Sequence, residues 1–298
     1  MILDTFDNHI LKLRTPAKVN LFLEVLDKRP DGFHNINSAF QAVSLYDIIE
    51  FSLADELGVT IKVLNNNDLT VGDDNLIAKA YNLMKDRYSL SGGLSVLLDK
   101  NIPVAAGLAG GSSDAAATIL AINLLFELGL DFTEMATFSS EIGSDLPFFF
   151  SSGQAIVTGR GENVAETTLP TGYWLVLVTP DFPISTADSY AALKRDLTYS
   201  KNPFNLARCQ TVDELVETLN GVGNDFEEVH FRSFSQLKRI RDELFKCGAL
   251  RARLSGSGPT MFGIFGAAPK LEQRDLQNRG DWQFNTVKPI ALPKQMQF

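Results

Sequence analysis

The run PVAAGLAGGSSDAAA, from Pro103 to Ala117, sets the tightest limit on what this chain can become. It follows a strand-like segment, Leu94 to Leu98, and opens an Ala- and Leu-rich stretch that reads as a helix over Ser112 to Leu128, stopped by Gly129. Gly107, Gly110 and Gly111 let the backbone bend and approach a ligand closely. Ser112 and Ser113 set hydroxyls beside the unpaired amides of a helix's first turn. Strand, glycine-rich loop and helix N-terminus in that order make a phosphate site. The bland alternative is a flexible turn with a serine cap. The GxxxxGK[ST] order is missing, as are the spacing and acidic partner of a dinucleotide fingerprint.

The flanking segments define the fold class. Leu11 to Leu13 and Val19 to Leu26 read as two strands parted by Pro16, and Arg29 to Gly32 as a turn. Val43 to Phe51 and Gly58 to Val63 are further strands, and Asp74-Asn75 starts a helix with Leu76, Ala80, Leu83 and Met84 on one side. A helix over Thr133 to Ile142 leads into GSDLPFFF, and strands at Gln154 to Val157 and Trp174 to Thr179 open the second half. Val212 to Leu219 and Phe234 to Phe245 are helical, and a turn at Ser255 to Gly258 precedes a strand over Met261 to Phe265. Strands and helices do not alternate regularly, so the class is α+β and not a doubly wound parallel sheet. At 298 residues, two domains are expected.

A net charge of -9 argues against general affinity for nucleic acid or anionic membranes, so an anionic substrate needs a local electropositive site. Cys209 and Cys247 show neither CxxC spacing nor a His cluster, which points away from zinc and toward a reducing cytoplasm. The N-terminus lacks the pattern of a signal peptide, and no long uncharged apolar run suggests a membrane span. Oligomeric state leaves no sequence signal.

The glycine-rich loop resembles the phosphate-binding motif of the GHMP kinases, and two segments in the right order strengthen the likeness: PAKVNLFL from Pro16 and LSGSGPT from Leu254. The likeness is strongest to the branch that acts on 4-diphosphocytidyl-2-C-methyl-D-erythritol in the non-mevalonate isoprenoid pathway. It runs through RPDGFHNINSAF, SLYD, DDNLIAKA, IGSDLPFFF, GRGE, STADSY and NDFE, and it loosens from Gly266 onward. It implies a two-domain fold divided as 1–158 and 159–298, the first resembling ribosomal protein S5 domain 2 and the second ferredoxin-like, with the active site between them. The implied reaction is ATP-dependent phosphorylation of the 2-hydroxyl of that substrate, with Mg2+.

Carried over residue by residue, the likeness makes Lys18 and Asp145 the catalytic pair. A carboxylate that accepts the alcohol's proton beside a cation that stabilises developing charge suits phosphoryl transfer. ATP falls to Pro103, Gly107, Leu108, Ala109, Gly110, Gly111, Ser112 and Ser113, with Asn75 and Lys100 on the adenine side and Ser113 as a Mg2+ ligand. The substrate falls to Asn20, Phe33, His34, Phe40, Thr186, Tyr190, Gly256 and Ser257, with Phe33 and Tyr190 sandwiching the cytosine and His34 reading its edge. Without the likeness, Asp145 reads as a turn residue, Lys18 as an exposed strand charge, Lys100 as a solvated lysine and Phe40 as core. Phe33 stands where Tyr is common in that branch. Ala109 stands where many members have Gly, which a tight loop accepts if φ is negative.

Overall fold

Two long antiparallel strands form the spine of the molecule, β2 (Ile10–Lys28) and β3 (His34–Ala54). The computed structural model describes residues 1–7, 10–65, 72–193, 209–269 and 282–293. The two strands expected on either side of Pro16 are one. Pro16, which has no N–H to give a ladder, falls at a register shift between Pro16 and Ala17, where pairing is locally relaxed. The turn after β2 is as expected, with Gly32 at φ +89 and its amide donating to the Arg29 carbonyl at 3.1 Å.

β3 is long enough to pair with two strands in succession on its far side, β5 (Gly93–Asp99) along its second half and β6 (Gln154–Gly159) along its first. The segment read as opening the second half therefore belongs to the first sheet. β1 (Ile2–Phe6), β4 (Val59–Val63) and β7 (Asn163–Glu166) complete seven strands, with β4 parallel to β5.

One face of this sheet is covered by α1 (Leu76–Tyr88), α2 (Gly110–Leu125) and α3 (Phe132–Ser139). In α1 the buried stripe is Ile77, Ala80, Tyr81 and Met84, so Leu76 and Leu83 lie at its margins instead of on it. Every residue of α2 from Ser113 to Asn123 is buried. A helix packed on all sides needs small residues, which the alanine run supplies. It ends at Leu125, earlier than expected, because the Asn123 side chain holds both the N–H and the C=O of Leu130 (2.9 and 3.0 Å) and Glu127 turns to φ +52.

The change of sheet falls between β7 and β8 (Trp174–Pro180). β8, β9 (Arg251–Leu254), β10 (Met261–Phe265) and β11 (Trp282–Val287) form an antiparallel sheet in the order β11-β8-β10-β9, which is ferredoxin-like. α4 (Thr186–Ala192), α5 (Val212–Thr218), α6 (Phe226–Ser233) and α7 (Ser235–Lys246) accompany it. The helices expected at Val212 to Leu219 and Phe234 to Phe245 are α5 and α7. The free face of the first sheet meets the second domain in one core, where Val19, Leu21 and Val43 pack with Leu175, Leu177, Phe262 and Val287. Among the described residues no helix is long and apolar enough to cross a membrane.

Candidate active site

Alternation along β2 divides its side chains between two environments. Ala17, Val19 and Leu21 enter the core between the sheets, while Lys18 and Asn20 line a cleft of about 1300 Å³. Lys18 is therefore no exposed strand charge: it is 3% exposed, with Nζ 4.4 Å from the centre of the Phe40 ring. Its ammonium donates to Asn20 Oδ1 at 2.6 Å and stands 3.4 Å from Asp145 Oδ2. Asn20 is held in turn through Nδ2 to Ser38 Oγ at 3.0 Å. Asp145 caps a short 3-10 turn, Leu146–Phe150, whose side chains are all buried, so the carboxylate is presented on an immobile base. Gly161 packs beneath it: a Cβ there would stand 3.0 Å from Ser144 Cβ and 3.5 Å from Asp145 Oδ1.

The phosphate loop lies against both domains. Leu108, buried, accepts the Lys18 amide at 3.0 Å, Gly107 accepts the Ser255 hydroxyl at 2.9 Å, and Ala106 accepts the Thr260 amide at 3.2 Å. Gly107 sits at φ +78, where a Cβ would come within 2.1 Å of the Ser255 carbonyl oxygen. Ala109 also lies in the left-handed region, at φ +54, so the condition for easy acceptance of alanine there, a negative φ, is not met. Ala109 is the residue that caps α2, with no side-chain acceptor for the first-turn amides. The serine-cap reading fails for the same reason. A helix start with no cap of its own, opening on a cleft, is suited to an anion that supplies the missing acceptors.

Pro103, Gly107, Ala109, Gly110, Gly111 and Ser112 line that cleft together with Asn75 and Lys100. Ser113 does not line it; its hydroxyl is wholly buried and unpaired. Ser112 is the loop serine that lines the cleft. Asn75 caps α1, its side chain accepting the Ile77 amide at 2.9 Å.

Lys100 is buried, not solvated, between two carboxylates that the sequence reading gave no role. Its ammonium pairs with Asp47 and, at 3.0 Å, with Asp114; Asp47 also accepts the amides of Asn101 (2.6 Å) and Ile102 (2.7 Å), and Asp114 accepts the Thr15 hydroxyl (2.8 Å). Burial pulls the lysine down, but Asp114 and Asp47 outweigh it and hold the ammonium above the usual range. Burial and the neighbouring Asp114 push the Asp47 carboxyl up, since one cation serves two acids. SLYD and GGSSDAAA carried these aspartates, but spacing alone could not show that they converge on one lysine.

On the opposite wall, Thr186 and Tyr190 come from α4 and Gly256 and Ser257 from the turn before β10, all lining the cleft. Thr186 Oγ1 and Ser257 Oγ pair at 2.8 Å. The rings sit differently from the expected sandwich. His34 stacks on Tyr190, centroids 5.0 Å apart and planes 14° from parallel, while Phe33 is half exposed beneath the Arg160 guanidinium at 5.1 Å. Backbone geometry separates the two: the Phe33 amide is held by Asp31 in the turn at 3.1 Å, whereas His34 is already the first residue of β3. Burial, with Asp145 adding to it, raises the Tyr190 phenol to about 12, so it is a neutral ring with a donor hydroxyl. Burial and then Lys28 lower His34 below the usual imidazole range, against Asp27. Lys28 and Arg160, both unforeseen, supply local positive charge at this end of the cleft.

Residues 75–153 match the GHMP kinases N terminal domain and residues 209–281 the GHMP kinases C terminal domain. The 4-diphosphocytidyl-2-C-methyl-D-erythritol kinase of Caldanaerobacter subterraneus subsp. tengcongensis is 40% identical over 279 residues, covering 93% of this chain and 96% of the relative. That of Bacillus mycoides is 40% identical over 265 residues, 85% of this chain and 88% of the relative. A crystal structure of 4-(cytidine 5'-diphospho)-2C-methyl-D-erythritol kinase superposes with a TM-score of 0.73 at 29% identity, covering 93% of this chain and 99% of the other. Homoserine kinase from Cytophaga hutchinsonii shares the fold at 16% identity, with a TM-score of 0.68 and coverage of 99% and 98%.

Proposed function

The chain belongs to the 4-diphosphocytidyl-2-C-methyl-D-erythritol kinase family of the GHMP kinases, and from that premise we propose how its cleft carries out the reaction. It is an ATP-dependent small-molecule kinase that phosphorylates the 2-hydroxyl of 4-diphosphocytidyl-2-C-methyl-D-erythritol in the non-mevalonate pathway to isoprenoid precursors. The observation that carries the assignment of roles is the Lys18–Asp145 pair, 3.4 Å apart between the phosphate loop and the α4 wall.

ATP lies with its phosphates on the loop from Gly107 to Ser112 and its base toward Asn75 and Lys100. The substrate hydroxyl gives its proton to the Asp145 carboxylate as its oxygen bonds to the γ-phosphorus and the bond to the ADP oxygen breaks. The Lys18 ammonium stabilises charge on the transferring group. Its position is fixed in advance by Asn20 and Phe40, which limits the reorganisation the transition state requires. Mg2+ is carried to such sites mainly by phosphate oxygens and water and needs few protein ligands. When bound it neutralises phosphate charge. Ser112, not Ser113, is the loop hydroxyl available to it.

Cytosine packs on Tyr190 by displacing the His34 ring to the base's edge, with Phe33 closing from the other side and Lys28 and Arg160 near the diphosphate. We place the protein in the cytoplasm, where Cys209 and Cys247 stay reduced. The test is a substrate panel with ATP and Mg2+. The diphosphocytidyl substrate should be phosphorylated, while methylerythritol 4-phosphate, mevalonate and homoserine should react poorly. Equal turnover of methylerythritol 4-phosphate would remove the cytosine pocket from the proposal.

A further inference from the structure

β3 takes one edge of β2, and β1 takes the other only along Leu11 to Arg14. Further along that second edge the segment before α6 docks. The Leu23 amide donates to the Gly223 carbonyl at 2.9 Å and the Leu23 carbonyl accepts the Asp225 amide at 2.9 Å, a single parallel bridge opposite Asn224. The Val25 amide donates to Asp225 Oδ2 at 2.6 Å. The start of the NDFE motif, to which no role has been given above, is thus fixed to the strand that carries Lys18 and Asn20.

Asn224 is 4% exposed, and its side chain reaches from that bridge to the turn before β10. Nδ2 donates to the carbonyls of Leu254 at 2.9 Å and Gly256 at 2.8 Å, while Oδ1 accepts the Phe226 amide at 2.9 Å. Hydrogen-bond chemistry fixes this orientation. Turned over, the amide would set its oxygen against two carbonyls and its hydrogens against an N–H. Glu227 adds a further tie, Oε1 accepting the Leu254 amide at 2.8 Å.

The turn so held packs closely on its other neighbours. Gly256 lies at φ +56, and a Cβ there would stand 3.2 Å from the Gly107 carbonyl oxygen and 3.4 Å from Asn20 Oδ1. Asn20 Oδ1 is the atom that accepts the Lys18 ammonium, and Gly107 belongs to the phosphate loop and accepts the Ser255 hydroxyl. We propose that Asn224 is a positioning residue for phosphoryl transfer: it sets the Ser255–Gly258 turn against Asn20 and Gly107, and so fixes Lys18 and the phosphate loop relative to each other without touching either substrate. The inference rests on the role proposed above for Lys18.

Asn224→Asp tests it, since the side chain keeps its shape but loses both donors and sets a carboxylate oxygen against two carbonyls. Two lost bonds correspond to about a 5-fold to 150-fold effect. With the diphosphocytidyl substrate, kcat counted per site that binds ATP should fall by that order while KM for ATP stays near the parent value. Hydrogen exchange of the Gly258 and Thr260 amides, which donate to the carbonyls of Ser255 and Ala106, should accelerate with α1 unchanged. In a double-mutant cycle with Asn20→Ala the losses in kcat should overlap, leaving the double variant less impaired than the product of the two single effects. If Asn224→Asp does not fold, Asn224→Ala removes the same donors without adding charge and carries the same expectations. Unchanged exchange in the turn, a parent-like kcat, a rise in KM for ATP as large as the fall in kcat, or losses that simply multiply in the cycle would overturn the inference. If the parent does not phosphorylate the diphosphocytidyl substrate, the functional reading fails, and the exchange experiment alone still decides whether Asn224 holds the turn.

Discussion

Replacing Gly107 by alanine separates the phosphate-loop argument from a general intolerance of glycine loops. The added Cβ would stand 2.1 Å from the Ser255 carbonyl oxygen and 3.1 Å from that of Gly258, both backbone atoms that no rotamer can move. Relief requires the loop and the turn to part by roughly 1 Å. That movement strains the bonds from Ser255 Oγ to Gly107 and from the Thr260 amide to Ala106. A left-handed conformation costs a non-glycine residue about 1–2 kcal/mol and each of the two lost bonds about 0.5–1.5 kcal/mol, so the sum is about 2–5 kcal/mol. A misplacement of about 1 Å can lower kcat/KM for ATP by about 100-fold.

Gly111→Ala is the control, because its Cβ would meet only Leu76 Cδ1 at 3.4 Å, an ordinary contact, and its φ is not positive. It should leave stability unchanged or slightly improved, since alanine favours a helix by up to about 1 kcal/mol over glycine. Steady-state kinetics with varied ATP and thermal melts read both outcomes. Equal effects from the two substitutions, or none from Gly107→Ala, would refute the claim that the loop is held in place by close backbone contact with the second domain.

Two further predictions address charge. Asp145→Asn keeps the side chain's shape and removes the proton acceptor, so kcat should fall by about 100-fold or more with ATP affinity little changed; near-parent turnover would move the base elsewhere. Lys28→Gln removes a cation that helps hold His34 low, so the His34 ring signal followed by NMR should titrate at higher pH than in the parent. The sign also sets a stability effect. Because the folded value lies below the ordinary value of 6.5, the unfolded chain takes the proton first as pH falls, and the contribution of neutral His34 is present above that value and lost below it. Lys28→Gln should shrink that loss in acid melts; an unmoved titration would show that burial alone depresses His34.

What could be read in advance follows the range of the interaction. The loop and α2 were legible because local chemistry fixes them: glycines where the chain bends and alanines where a helix is enclosed. Pro16 misled because its local preference, to break a strand, is overridden by a register shift that only the partner β3 can absorb. The placement of Gln154–Gly159 was invisible for the same reason, since nothing within that strand says which sheet it joins. The short strands β1, β7 and β9 and helix α6 went unread because each is too brief to show a period and gains its stability from neighbours.

The site divides along the same line. Of the residues carried over by motif order, all but Leu108 and Ser113 line the cleft, but each error concerned a relation between distant residues. Lys18 and Lys100 looked like solvated charges because lysine usually is one. Burial of Lys18 is offset by Asn20, Asp145 and the Phe40 ring, and that of Lys100 by Asp47 and Asp114, partners spread from residue 20 to residue 145. Ala109 shows the converse. Its side chain was read correctly as small, yet its backbone is at φ +54 because the loop must turn sharply from the strand side onto the start of α2 with no capping side chain. The strain is held there by the Lys18 amide bonded to the Leu108 carbonyl and the Ser255 hydroxyl bonded to the Gly107 carbonyl. The loop's shape is therefore imposed by the first sheet and the second domain together, which is why the phosphate site we propose lies where the two domains meet.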